Sequence, residues 1–150
     1  MRLHIERLSP LALLLLAGCE IPQQQKLADC TTNSLSFAMT VEYSPPYQFV
    51  LGVPHTETGR VSFAGEMVVL RGTDTVARIP VSSQDATPCN WLEHDPGLAG
   101  YILTWSRTNQ GQRLDGLLAR KQTYDVRVTF TESPPPQSSL WLSSISKPGL

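Results

Sequence analysis

Three kinds of residue in this 150-residue chain could carry covalent or acid–base chemistry: the cysteines Cys19, Cys30 and Cys89, the pair His94-Asp95, and a scatter of serines. On paper, His94, Asp95 and a serine make a hydrolytic triad. Such a serine usually sits on a sharp turn written Gly-x-Ser-x-Gly, and the chain has no such stretch. His94-Asp95 instead runs straight into Pro96-Gly97, which is turn chemistry. Cys30, Cys89 and His94 could serve as metal ligands, but a closed tetrahedral site needs four. No Cys-x-x-Cys or His-x-x-x-His spacing supplies the fourth. His55, in a Pro-His-Thr stretch, is expected to be exposed. The carboxylates show no paired pattern, and no glycine-rich loop could hold a phosphate or a dinucleotide. The expectation is a protein that is not an enzyme and carries no metal or cofactor.

Cys19 belongs to a different context. It closes the stretch LALLLLAGCEIP, which follows a start that carries Arg2 and Arg7. The oily run is far shorter than the roughly 20 residues that cross a bilayer as a helix. A short apolar core after a basic start reads as an export signal, here helical and removed from the mature chain. Leu16-Ala17-Gly18-Cys19 resembles the lipobox of bacterial lipoproteins: an aliphatic residue, two small ones, and the cysteine whose thiol takes a diacylglyceryl group. The resemblance implies a mature chain that starts at Cys19 with two or three acyl chains of palmitate length. It also implies an envelope location facing the periplasm. Glu20 follows the cysteine where an Asp would retain such proteins in the inner membrane, so the outer membrane is favoured.

Losing residues 1–18 removes Arg2, Arg7 and Glu6 and leaves ten basic against twelve acidic residues. That near-neutral balance, with no basic run, excludes nucleic acid as a natural partner. If Cys19 goes to lipid, Cys30 and Cys89 remain as an even pair in a compartment that permits disulfides. A bridge between them would close a loop of about 60 residues and contribute roughly 4 kcal/mol.

The elements that must position these groups are strands. LSFAMTVEY puts Leu35, Phe37, Met39, Val41 and Tyr43 on one face and Ser36, Thr40 and Glu42 on the other. Alternation returns in YQFVLGV, in VSFAGEMVVL (Gly65 a candidate bulge) and in TVARIPV, whose Pro80 points to an edge. It returns again in YILTWS, in TYDVRVTFT and in SSLWLSSI. About seven short strands with turn residues between them suggest an antiparallel β-sandwich. Leu118, six residues before Tyr124, resembles the tyrosine corner of fibronectin type III-like domains, and GYILTW resembles one of their central strands. The resemblance implies an immunoglobulin-like sandwich and carries no function.

The organisation expected is a signal at 1–18, a polar tether at 19–29 and a sandwich at 30–147. Trp91, in the long stretch 82–99, and Trp141, between Leu140 and Leu142, are candidate anchors for a partner. If the leucines face inward, Trp141 faces out. The functional expectation is a non-catalytic, membrane-anchored binding or accessory module whose partners are the bilayer and an envelope protein. The alternative is a periplasmic inhibitor or immunity protein acting on a lysozyme-like or toxin enzyme.

Overall fold

Alternation of apolar and polar side chains decides which way each strand faces, and β8 (Thr123–Glu132) is the plainest case. Tyr124, Val126, Val128 and Phe130 are buried, while Asp125, Arg127 and Thr129 between them are exposed. The computed structural model describes residues 23–55, 60–89, 97–103 and 114–144. In chain order the other strands are β1 (Gln23–Asp29), β2 (Ser34–Thr40), β3 (Tyr47–Pro54), β4 (Ala64–Arg71), β5 (Asp74–Ser82), β6 (Thr87–Cys89), β7 (Leu98–Leu103) and β9 (Ser139–Ser144). A four-residue helical turn, α1 (Leu114–Leu117), precedes β8.

The strands form two antiparallel sheets, one in the order β1-β9-β3-β7-β6 and one in the order β2-β8-β4-β5. Between them lies one core. The five-stranded sheet contributes Tyr47, Phe49, Leu51, Leu140 and Leu142, and the four-stranded sheet contributes Met39, Met67, Val69, Ile79 and Val126. Each such side chain contributes roughly 1.5–3 kcal/mol by leaving water.

The β-sandwich is as expected; its immunoglobulin-like wiring is not. An immunoglobulin sandwich pairs its first two strands in one sheet. Here β1 and β2 lie in opposite sheets, and β1 pairs instead with the last strand, β9. With the short β6 set aside, β1-β9-β3-β7 facing β2-β8-β4-β5 is the strand order of a jelly roll. Alternation fixes the face of a strand but not its neighbour, which is why the sequence pattern is shared by both topologies.

The tether expected at 19–29 is also corrected. From Gln23 onward it is a strand, paired residue by residue with β9 from Gln23↔Ser144 to Asp29↔Ser139. QQQKLAD looks like a linker because an edge strand is held by its backbone. Leu27 is the one apolar side chain among these that packs against the main core, and the buried Gln24 is polar.

Two local expectations are met. The β4–β8 pairing shifts register between Ala64 and Gly65, so Gly65 marks a bulge. β5, with Pro80, is an edge strand. The tyrosine corner is met locally too. The Tyr124 hydroxyl accepts the Ala119 N–H at 2.9 Å, and Leu118 is buried beside it. Tyr124→Phe keeps the ring and leaves that N–H without its acceptor. It is expected to cost about 1 kcal/mol, read as a lower midpoint in urea unfolding with unchanged slope.

The register also gives the domain two distinct ends. Gln23, the 41–46 connection, the turn around Gly72 and residues 119–122 lie at one end. The 30–33 and 133–138 connections lie at the other, as does the 83–86 connection after β5.

Candidate binding site

The end opposite Gln23 is built from two connections stitched together. Cys30 follows β1, and its N–H donates to the Ser138 carbonyl at 2.8 Å, just ahead of β9. The Ser133 hydroxyl donates to the Asn33 side chain, and the Phe130 N–H donates to the Asn33 carbonyl at 2.8 Å. Proline stiffens the second connection. Ser138 N–H reaches the Pro135 carbonyl at 3.3 Å, which closes the four-residue turn Pro135-Pro136-Gln137-Ser138. Gln137 sits at φ 64°. Proline second and a positive φ third are the hallmarks of a type II turn, whose third position normally takes glycine. Holding glutamine there costs on the order of 1 kcal/mol.

Between the two connections lies a cleft of about 510 Å³. Its lining is hydroxyl, amide and proline: Thr31, Thr32, Asn33, Ser133, Pro134, Pro136, Gln137 and Ser138, with Asp29 and Cys30. No lysine or arginine is among the lining residues. Asp29 is turned to the exposed Lys26, 2.8 Å away. Apart from the Asp29 carboxylate, such a surface offers hydrogen bonds from uncharged groups.

Cys30 is half-buried here. Burial, and secondly the neighbouring Asp29 carboxylate, push its thiol up from about 9 to about 11. At neutral pH it is therefore protonated, a weak nucleophile and a poor metal ligand. The folded chain holds this proton more tightly than the unfolded chain does. The thiol's contribution to stability is thus present below about pH 9 and is lost as pH rises toward 11. At pH 8 a thiol reagent is expected to modify Cys30 in the folded protein roughly tenfold more slowly than in the unfolded chain, the loss of thiolate outweighing its higher intrinsic nucleophilicity. Peptide mass spectrometry after timed quenching checks this, and equal rates would contradict it.

The expected Cys30–Cys89 bridge is not present. Asp29, Ser139, Gly52, Gly100 and Cys89 form one row across the five strands. Four spacings of about 4.8 Å put Cys89 roughly 19 Å from Asp29, the neighbour of Cys30. A bridge needs Cα atoms within about 7 Å. Cys89 instead packs over Gly100, where an added Cβ would lie 2.6 Å from its Sγ. Pairing by elimination could not foresee two cysteines at opposite edges of one sheet.

Trp141 does point away from Leu140 and Leu142, as the alternation predicts. It is not an exposed anchor, however, being 6% exposed and packed with Val50, Leu98, Ile102 and Cys89. Its indole N–H donates to Ser139 Oγ at 2.8 Å. His55 is exposed, as expected. Cys19, Trp91, His94 and Asp95 lie outside the described residues. Among the described residues no three His, Cys, Asp or Glu side chains gather around a possible metal position, and no helix is long and apolar enough to cross a membrane.

Apart from Cys30, the cleft residues are absent from the sequence expectation, and Pro134-Pro135-Pro136 is there no more than a break between strands. The one available signal is that this proline run ends in Gln-Ser-Ser directly before a strand. Compared with known proteins, the chain matches no family model, no curated protein and no solved structure.

Proposed function

We propose that this protein is a non-catalytic lipoprotein of the bacterial envelope, anchored by acylated Cys19, that binds another envelope component at the end of its sandwich facing away from the bilayer. One juxtaposition carries the reading. The lipobox-like Leu16-Ala17-Gly18-Cys19 ends four residues before β1, and β1 leads directly to the cleft. Four residues span at most about 14 Å, so an anchored domain stands close to the headgroups. The seven residues of β1 then rise about 20 Å to Asp29. The cleft's prolines and stitched turns limit the conformational entropy that binding would cost.

Affinity purification of the full-length protein from detergent-solubilised envelopes tests this. The wild type is expected to bring down a partner that a Thr31→Arg, Gln137→Arg double variant loses, with membrane association unchanged in both. A hydrolase or toxin among the retained proteins would select the inhibitor or immunity role. Equal recovery with both forms would reject the cleft as the binding end.

A further inference from the structure

Among the described residues four strands lie at sheet edges, and three of them are protected against pairing with another chain. β1 carries Lys26 and a register shift between Lys26 and Ala28. β6 is three residues long and contains Pro88. β5 carries Arg78 and Pro80, and its pairing with β4 shifts register. Charge, proline, brevity and bulges are the usual means of blunting an edge. β2 has none of them. SLSFAMT is seven residues without charge or proline, and it pairs with β8 in unbroken register.

The hydrogen bonds show which backbone groups of β2 are open. Phe130 N–H donates to the Asn33 carbonyl at 2.8 Å, and Val41 N–H donates to the Gln122 carbonyl at 3.0 Å. Odd-numbered residues therefore turn their main chain toward β8, and even-numbered ones turn theirs to the free edge. At the two ends of that edge, side chains take the carbonyls. Thr32 Oγ1 donates to Ser34 O at 2.6 Å, and Gln25 Nε2 donates to Thr40 O at 2.7 Å. Between these caps, the N–H and C=O of Ser36 and Ala38 face outward, and both residues are exposed. On the inner face Leu35 and Phe37 are only half-buried, because among the described residues no strand lies beyond them.

We propose that the open edge of β2, Ser34–Thr40, receives an extended, uncharged segment of a partner protein as a fifth strand of the four-stranded sheet. The Ser36 and Ala38 backbone would supply the hydrogen bonds, and apolar side chains at alternate positions of the partner would cover Leu35 and Phe37. The segment would continue past Ser34 into the cleft, whose uncharged hydroxyl and amide groups suit main chain and polar side chains. A second copy of this chain fits poorly. Antiparallel β2–β2 pairing would reverse the long axis of the neighbour, and two domains anchored at Cys19 in one bilayer could not adopt it. That step rests on the anchored reading above.

The test places a photo-crosslinking amino acid at Ser36 of the full-length protein in intact envelopes, with membrane fractionation of the same cells. The expected result is an adduct with one segment of a different protein. A synthetic peptide of that segment, added to the full-length protein in detergent micelles, should slow amide exchange at Ser36 and Ala38 about tenfold or more. Ala38→Pro, which removes one outward N–H, should weaken the peptide by about tenfold; the exchange measurement needs no variant and stands if this one misfolds. No adduct, adducts only with lipid or a second copy, or a peptide that leaves both amides unprotected would overturn the proposal. A protein found outside the membrane fraction while exchange protection persists would remove the anchored reading and leave strand addition standing.

Discussion

Replacing one sulfur by oxygen, Cys19→Ser, is expected to move the whole protein out of the membrane fraction. The proposed anchor is a thioether, which serine cannot form, and the second and third chains depend on the same residue. Each buried methylene contributes about 0.8 kcal/mol, so one chain holds a protein only marginally while two hold it durably. Nothing described in the folded part offers a substitute: among the described residues no helix is apolar and long enough to span a bilayer. The effect is therefore close to all-or-none. Fractionation with a high-salt wash reads it, and mass spectrometry of the wild type reads its cause as an acylated N-terminus at Cys19. A wild-type chain that begins at an unacylated Met1, or a variant that still pellets after the wash, would remove the anchor and the orientation that depends on it.

How far the fold is legible in the sequence can be read from individual strands. β8 declares itself because a central strand must alternate over its full length, as Tyr124 to Phe130 do. β1 does not, because main-chain pairing with β9 holds it, and the side chains it does bury or bond, Gln24 and Gln25, are polar. β9 misleads in another way. Its outward side, Trp141 with Ser139 and Ser143, is as buried as its inward side, so alternation gives the direction of Trp141 correctly and its accessibility wrongly. The Leu118–Tyr124 spacing predicts a real hydrogen bond, yet that corner is a local device compatible with more than one wiring of a sandwich. Long-range pairing is what the linear pattern omits. It puts Cys30 and Cys89 at opposite edges of one sheet and brings residues 29–33 against 133–138 to make the cleft. The β2 edge is legible only afterwards, since the lack of charge in SLSFAMT acquires meaning once β2 is seen at the end of its sheet with no described strand on its outer side.

Gly65→Ala, the addition of a single methyl group, is expected to destabilise the sandwich strongly. A Cβ at Gly65 would lie 2.2 Å from the Thr129 carbonyl oxygen and 2.9 Å from the Phe130 Cα. Both are backbone atoms of β8, so neither can rotate aside. β8 is paired on its other side to β2, and its Phe130 N–H holds the Asn33 carbonyl at the floor of the cleft connection. Moving β8 therefore strains both sheet neighbours together. The cost is expected to be about 3 kcal/mol, equivalent to a fall in Tm of roughly 10 °C for a domain of this size. Two controls separate the clash from ordinary glycine effects. Gly72→Ala meets no atom within 4 Å but must hold φ +63°, which costs about 1 kcal/mol. Gly116→Ala, in the helical turn α1, also meets nothing within 4 Å and should be neutral or slightly stabilising. Thermal unfolding of the three variants side by side should rank them Gly65, Gly72, Gly116 in decreasing loss. If Gly65→Ala instead melts with Gly72→Ala, β4 and β8 do not approach as closely at the bulge as the register requires, and the placement of β2 and the cleft beyond β8 must be revised with it.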